Sequence, residues 1–279
     1  IDMPTAGSFS DGDLSFSVSK VGPNLRNTIG FQALPRVYGA FRYSGIGDKE
    51  RMYYRSGYTT WDRSFDLRLD LTKESVWIPD ITVGFQDTIG TGLHSAEYIV
   101  SSKTLFNKIR ATAGLGWGRL ASKNIIAKNG IRNNNSGGTF GGLLRTESFF
   151  KGNTAIFGGL EYNSPISGLN LKMELSSDDY SMDEAYTTRS LSSLTNFGMN
   201  YKFNENLSSA AYFSPGREVG LQLNILANPS DDNAFKFLEK MPEPFYSLPF
   251  PVKEKDLSYL SGIKSDLNSN NIIFIGYKI

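Results

Sequence analysis

The stretch from Ile81 to Leu120, ITVGFQDTIGTGLHSAEYIVSSKTLFNKIRATAGLGWGRL, constrains this chain more than any other. Ile81, Val83 and Phe85 alternate with Thr82, Gly84 and Gln86, and Ile109, Ala111, Ala113, Leu115 and Trp117 alternate with Arg110, Thr112, Gly114, Gly116 and Gly118. Period two is the signature of a strand with unlike faces. Such strands separate either a greasy solvent from a polar interior or a core from water, and function depends on which.

About twelve segments fit the strand template, with turn formers between them. They are Leu14–Ser19, Thr28–Leu34, Val37–Tyr43, Phe65–Leu71, Ile81–Asp87, Ser95–Leu105, the glycine-striped strand from Ile109, Thr154–Asn163, Leu169–Ser176, Phe197–Phe203, Leu207–Phe213 and Val219–Leu226. The long connections (45–63, 121–152 and 178–194) fall at odd positions, while most even ones, at Pro35, Asn107 and Asn204–Asn206, are tight. A meander with long loops at one end and short turns at the other is the pattern of an outer-membrane barrel. Strands of about eight to eleven residues, tilted, cross a hydrocarbon layer of about 30 Å. Unpaired edges cannot lie in lipid, so the sheet must close.

Charge fixes the orientation of such a barrel. Asp66, Arg68, Asp70, Arg110, Lys172, Glu174 and Lys202 lie opposite the Leu, Ile, Phe and Met residues, which predicts a polar lumen network of mixed sign. An Arg or Lys on lipid costs about 2–4 kcal/mol at the bilayer midplane. Tyr43, Trp117, Tyr162, Tyr201 and Phe203 fall near strand ends, where an aromatic girdle belongs.

Composition removes other classes. Lys+Arg 29 against Asp+Glu 28, with no basic block among aromatics, gives no nucleic-acid surface. Cysteine is absent and His94 is the one histidine, so thiolate metal sites, cysteine nucleophiles and histidine-rich metal or triad chemistry have little to work with; no metal and no cofactor is expected. No apolar run reaches the roughly 18 residues of a membrane helix. The chain opens at Ile1 without an initiator Met or an apolar leader, which predicts a processed or trimmed amino terminus rather than a natural cytosolic start. Residues 1–229 form the expected barrel. Residues 230–279 read as a Pro-rich linker (Pro242, Pro244, Pro249, Pro251), a helix carrying Leu257, Leu260, Ile263 and Leu267, and a strand over Ile272–Ile279, the expected start of a periplasmic α/β segment.

The candidate chemical sites mostly have plainer readings. Gly90–Gly92 lacks the lysine and the helix of a phosphate cradle and reads as a hairpin turn. Asp66 and Asp70 share a face as glycosidase carboxylates do, but Arg68 between them favours an ion-pair network. His94 reads as a surface histidine in a turn. The Asn-rich loop 121–152 reads as a solvated surface loop, and the acidic run Asp178–Glu184 lacks the spacing of a Ca²⁺ loop. Trp117 and Arg119 beside the glycine stripe, with Asp87, form a possible saccharide contact, since an aromatic face with Arg or Asp suits a sugar; the glycines equally suit a crowded interior.

The segments IDMPTAGSFSDG, DRSFDLRL (62–69), VGFQDTIGTGLHSAEYIVSSK (83–103), GLGWGRL (114–120) and FGGLEYNSPISGLNLKMELSSDDY (157–180) resemble the YjbH-like family of outer-membrane proteins. The resemblance covers most of residues 1–229. It implies a bacterial outer-membrane barrel in a system that makes or exports a surface polysaccharide or capsule, and it supplies no catalytic residues. The reading is therefore an all-β, closed, antiparallel up-and-down transmembrane barrel of about twelve strands, with outer-membrane lipid, polysaccharide and envelope export proteins as its partners. It is expected to be non-enzymatic. Two alternatives remain: a soluble all-β carbohydrate-binding or hydrolytic domain, and a plugged barrel acting as a scaffold.

Overall fold

The computed structural model describes residues 3–22, 24–47, 60–132, 144, 146–180, 194–215, 219–229, 259–270 and 272. The strands are β1 (Leu14–Val21), β2 (Asn24–Leu34), β3 (Val37–Ile46), β4 (Thr60–Thr72), β5 (Asp80–Gly90), β6 (Ala96–Leu105), β7 (Ile109–Gly118), β8 (Ile125–Asn129), β9 (Gly152–Asn163), β10 (Leu169–Leu175), β11 (Thr195–Lys202), β12 (Leu207–Phe213) and β13 (Val219–Ala227). Each pairs antiparallel with its neighbour. β7 passes to β9, β9 to β10, and β13 returns to β1 from Leu14↔Ala227 to Val21↔Gly220, which closes a ring of twelve. β8 lies outside that ring. It pairs with the first residues of β9, Gly152–Ala155, inside what reads as a loop over 121–152. All five of its residues are exposed, so it has no half-buried face to impose alternation on the sequence.

The faces are inverted relative to a water-soluble protein. Leu221 is 63 % exposed, Met199 52 % and Leu160 51 %, whereas Thr82, Glu174 and Asp62 are exposed by 2 % or less. Cross-strand register keeps each set on one side: Phe16↔Ile29, Ile29↔Phe41 and Phe41↔Phe65 run outward, with Ser17↔Thr28, Thr28↔Arg42 and Arg42↔Ser64 inward between them. Apolar surface leaves water spontaneously and charges resist leaving it, so this arrangement belongs in an apolar solvent. The outward apolar residues do not meet between stacked sheets, which rules out the soluble-domain alternative. Aromatic pairs mark the ends of the belt. Tyr43 stacks on Trp61 with centroids 4.6 Å apart, and Tyr201 meets Phe203 at 5.1 Å at the opposite end. Among the described residues no helix is long and apolar enough to cross a membrane.

The chain divides into two units, Ile1–Phe235 and Lys236–Ile279. In the second, the predicted helix is α1 (Tyr259–Ser269). The Pro-rich linker and, apart from Ile272, the predicted terminal strand lie outside the described residues, as do parts of the three long connections.

Candidate functional site

Residues 3–13 run through the lumen of the barrel. The segment leaves the foot of β1, where the Gly12 N–H donates to the Gln32 carbonyl (3.1 Å) and the Asp13 carbonyl accepts from the Gln32 N–H (2.8 Å). It then crosses the interior, held by its backbone. The Gly7 N–H donates to Thr82 Oγ1 (3.3 Å) on β5, the Ala6 N–H to Ser102 Oγ (3.0 Å) on β6 and the Met3 N–H to Glu174 Oε2 (3.1 Å) on β10. Arg68 Nη2 donates to the Thr5 and Gly7 carbonyls (2.7 and 3.0 Å), and Arg110 Nη2 to the Ala6 carbonyl (2.9 Å). Pro4, Gly7 and Gly12 keep the strand ladder from claiming this stretch, and the small side chains of Thr5, Ala6 and Ser8 fit a confined space.

Of the residues expected in a lumen network, Arg68, Arg110 and Glu174 touch this segment, while Asp66, Asp70 and Lys172 bond to neighbouring strands. Arg42 Nη2 lies 2.7 Å from Asp66 Oδ1, which also accepts the Asp87 N–H at 2.9 Å. Asp70 accepts from the Thr82 hydroxyl at 2.5 Å. Arg110 joins Asp80 (2.6 Å) and Glu74 (3.0 Å), and Lys172 pairs with Glu161 at 3.0 Å. Glu174 takes Met3 on one oxygen and Asn196 (2.5 Å) on the other. Lys202 shares the face but sits exposed at a strand end, with no ion pair among the described residues. Asp66 and Asp70 are thus both engaged with neighbours. Among the described residues no group of three or more His, Asp or Glu side chains is placed to hold a metal ion.

Beside the polar socket the lumen has a dry core. Tyr98, Val100, Ala96, Phe157, Leu120 and Ala6 cluster there, with Met3 packed against them. Glycines make this possible by close approach: a Cβ on Gly114 of the stripe would lie 2.3 Å from the Phe157 ring, one on Gly84 of β5 2.1 Å from that of Tyr98, and one on Gly159 of β9 2.7 Å from Met3 Cε. Of the two readings of the stripe, the packing one describes the structure.

The three residues of the possible saccharide contact do not converge. Trp117 pairs with Glu97 on the outward face and meets the Phe150 ring edge-on at 5.0 Å, while Phe150 and Phe149 also pack on Phe85. Arg119, in the 3-10 turn Arg119–Ala121, is buried and bonded to Asp178 (2.5 Å) and Gln86 (3.1 Å). Asp87 adopts φ 49° in the irregular stretch of β5 and accepts the His94 N–H at 3.0 Å. His94 is not a surface histidine. It is 4 % exposed, with Nδ1 3.1 Å from Asp62 Oδ2, because the 91–95 turn folds inward. Gly92 takes φ +75° in that turn, as a hairpin connection requires.

The loop before β9 also departs from a simple surface loop. Arg132 grips Glu97 through both carboxylate oxygens (2.6 and 3.0 Å), and the Phe150 N–H adds a third bond at 3.1 Å. A carboxylate on the outward face is thereby covered and neutralised. Of the acidic run, Asp178 is spent on Arg119, and residues 181–184 lie outside the described residues.

These features define a transmembrane β-barrel whose interior is occupied by its own amino-terminal segment. The model of the family described as exopolysaccharide biosynthesis protein YbjH matches residues 1–272, and this chain belongs to that YjbH family. It is 31 % identical over 197 residues to the uncharacterized lipoprotein YjbH of Escherichia coli (strain K12), a match spanning 66 % of this chain and 28 % of that protein's length. Among solved structures, the KdgM porin covers 77 % of this chain and 97 % of its own at 8 % identity and a TM-score of 0.40, and the NanC porin does so at 8 % and 0.37. The barrel itself is established by the strand register, independently of that likeness.

Proposed function

We propose that this chain is a non-catalytic outer-membrane barrel that serves exopolysaccharide or capsule export and surface assembly, and that its resting lumen is held shut by residues 3–13. The observation that carries this reading is the socket of Arg68, Arg110, Thr82, Ser102 and Glu174 closed around the backbone of that segment. A lumen filled by paired charges, a dry core and a crossing peptide favours a membrane-held scaffold over an open pore. Envelope export proteins and the polymer are its partners in this reading, met through the outer loops and the short-turn rim.

The far wall of the lumen supports a second reading. Ser15, Ser17, Thr28, Ser208 and Asn224 face inward, half-buried and uncharged, which is the lining that a passage for a neutral polyhydroxy chain beside the segment would need. Planar-bilayer conductance separates the two. The intact chain is expected to conduct several-fold less than a form lacking residues 1–13, both forms retaining the heat-modifiable band of a folded barrel. Equal conductance of the two would remove the segment's role as a closure.

A further inference from the structure

Among the described residues, the connection between β4 and β5 carries the most exposed apolar side chains of any short turn. Trp77 is 91 % exposed, Val76 80 % and Ile78 51 %, and Phe106 on the neighbouring β6–β7 turn is 88 % exposed. Water does not explain four large apolar groups held at one arc of this rim, where the other described turns present Asn204–Asn206 and Arg36 with single apolar residues such as Ile166. Nor is the turn a loose one. Glu74 accepts from the Thr104 N–H (2.7 Å), the Thr104 hydroxyl (3.0 Å) and Arg110 (3.0 Å), and its own N–H donates to Asp80 (2.6 Å).

The direction in which the tip leans decides what meets it. Lys103 pairs with Ala111 on the outward face of the barrel, and its Nζ donates to the Ser75 carbonyl. The tip therefore lies over the lipid side of the β6 foot rather than beneath the lumen, continuous with the apolar belt at Leu71 and Leu105. Lys73 and Lys108 flank it, both exposed. Apolar side chains with Trp at the tip and lysines at the margin match the boundary between acyl chains and phosphate headgroups.

We propose that residues 75–78, with Phe106, form a lipid-binding wedge that inserts into the headgroup region of the leaflet at the short-turn end and fixes the barrel's depth there. This rests on the membrane reading above, and the test separates the two. The full chain is reconstituted in phosphatidylethanolamine/phosphatidylglycerol vesicles carrying quenchers either near the headgroup or at the bilayer centre, and its tryptophan emission is compared with that of Trp77→Phe. The expected result is that Trp77 emission is quenched several-fold more by the shallow probe than by the deep one, and that this component vanishes in Trp77→Phe. Trp61, outward at the opposite rim, is present in both proteins, each of which also carries Trp117→Phe, so that its quenching reports that the barrel is inserted. Quenched Trp61 beside an unquenched Trp77 with the emission of a water-exposed indole overturns the wedge and leaves the barrel reading intact. Shielding of Trp77 only when envelope proteins are added overturns it equally, in favour of a protein partner.

Discussion

Single residues carry the cost of the inverted faces. Glu97 pairs with Trp117 on the outward side, where a carboxylate is expensive, and is 1 % exposed because Arg132 and the Phe150 N–H cover it. Arg132→Ala leaves that charge buried with the Phe150 N–H but no countercharge, and breaking a buried ion pair in this way costs about 3–5 kcal/mol; urea unfolding in detergent micelles measures it. Gly114→Ala is expected to cost about 1–3 kcal/mol by overpacking, since the new methyl meets both the Phe157 ring and the Ile99 carbonyl. Glu74 lies in the turn outside the strands, and its carboxyl is held below the ordinary range chiefly by the Thr104 N–H, aided by the Thr104 hydroxyl, Arg110 and Lys103 against the effect of burial. A depressed carboxylate stabilises fully above its unfolded-state pKa and loses that contribution as pH falls through the folded one. The turn should thus be fixed at neutral pH and loosen in acid. Trp77 anisotropy against pH reads this, and Glu74→Gln should abolish the transition.

At the scale of strands, lipid and lumen impose different tolerances on adjacent residues. Leu223, on the outward face of β13, and Asn224, on the inward one, are neighbours in sequence. Leu223→Arg should cost about 2–4 kcal/mol of folding into vesicles, whereas Asn224→Arg should cost far less. Such alternation is what made the twelve ring strands legible in the sequence. Where it blurs, the reason is physical. In β6, Ala96, Tyr98 and Val100 point inward while Glu97 and Lys103 point outward, because a dry core occupies the lumen and Arg132 and Ser75 serve the outward charges. β8 is too short and exposed to pattern at all. The candidate site was legible in part. The charges at Asp66, Arg68, Asp70, Arg110 and Glu174 were readable as inward, but not that Arg68, Arg110 and Glu174 bind the backbone of residues 3–13, since hydrogen bonds to main chain leave no mark on the bound residues' identities. Trp117 and Arg119, two apart, looked paired until Gly118, at φ 65°, ended β7 and turned the chain away from the ladder.

For the molecule as a whole, closure is the property on which membrane residence depends, because one open seam would leave a row of backbone N–H and C=O groups in hydrocarbon. The seam that closes the ring is β1 against β13, joining strands about two hundred residues apart in sequence, and sheet-edge entropy gives no local reason for them to meet. Their pairing is specified by face: Leu14, Phe16 and Val18 fall opposite Ala227, Ile225 and Leu223, so a slip by one residue would turn the serines of β1 onto lipid. The absence of cysteine makes this testable without background. Val18→Cys with Leu223→Cys places two thiols on directly opposed residues at a separation that a disulfide spans. Oxidation in vesicles should circularise nearly the whole barrel, seen as a reductant-sensitive change in mobility of the boiled protein, while Val18→Cys with Leu221→Cys, displaced along β13, should crosslink much less. Equal crosslinking of the two pairs would mean that the first and last strands slide past each other, and a barrel with a sliding seam could not keep Glu174 and Arg110 on the segment they hold.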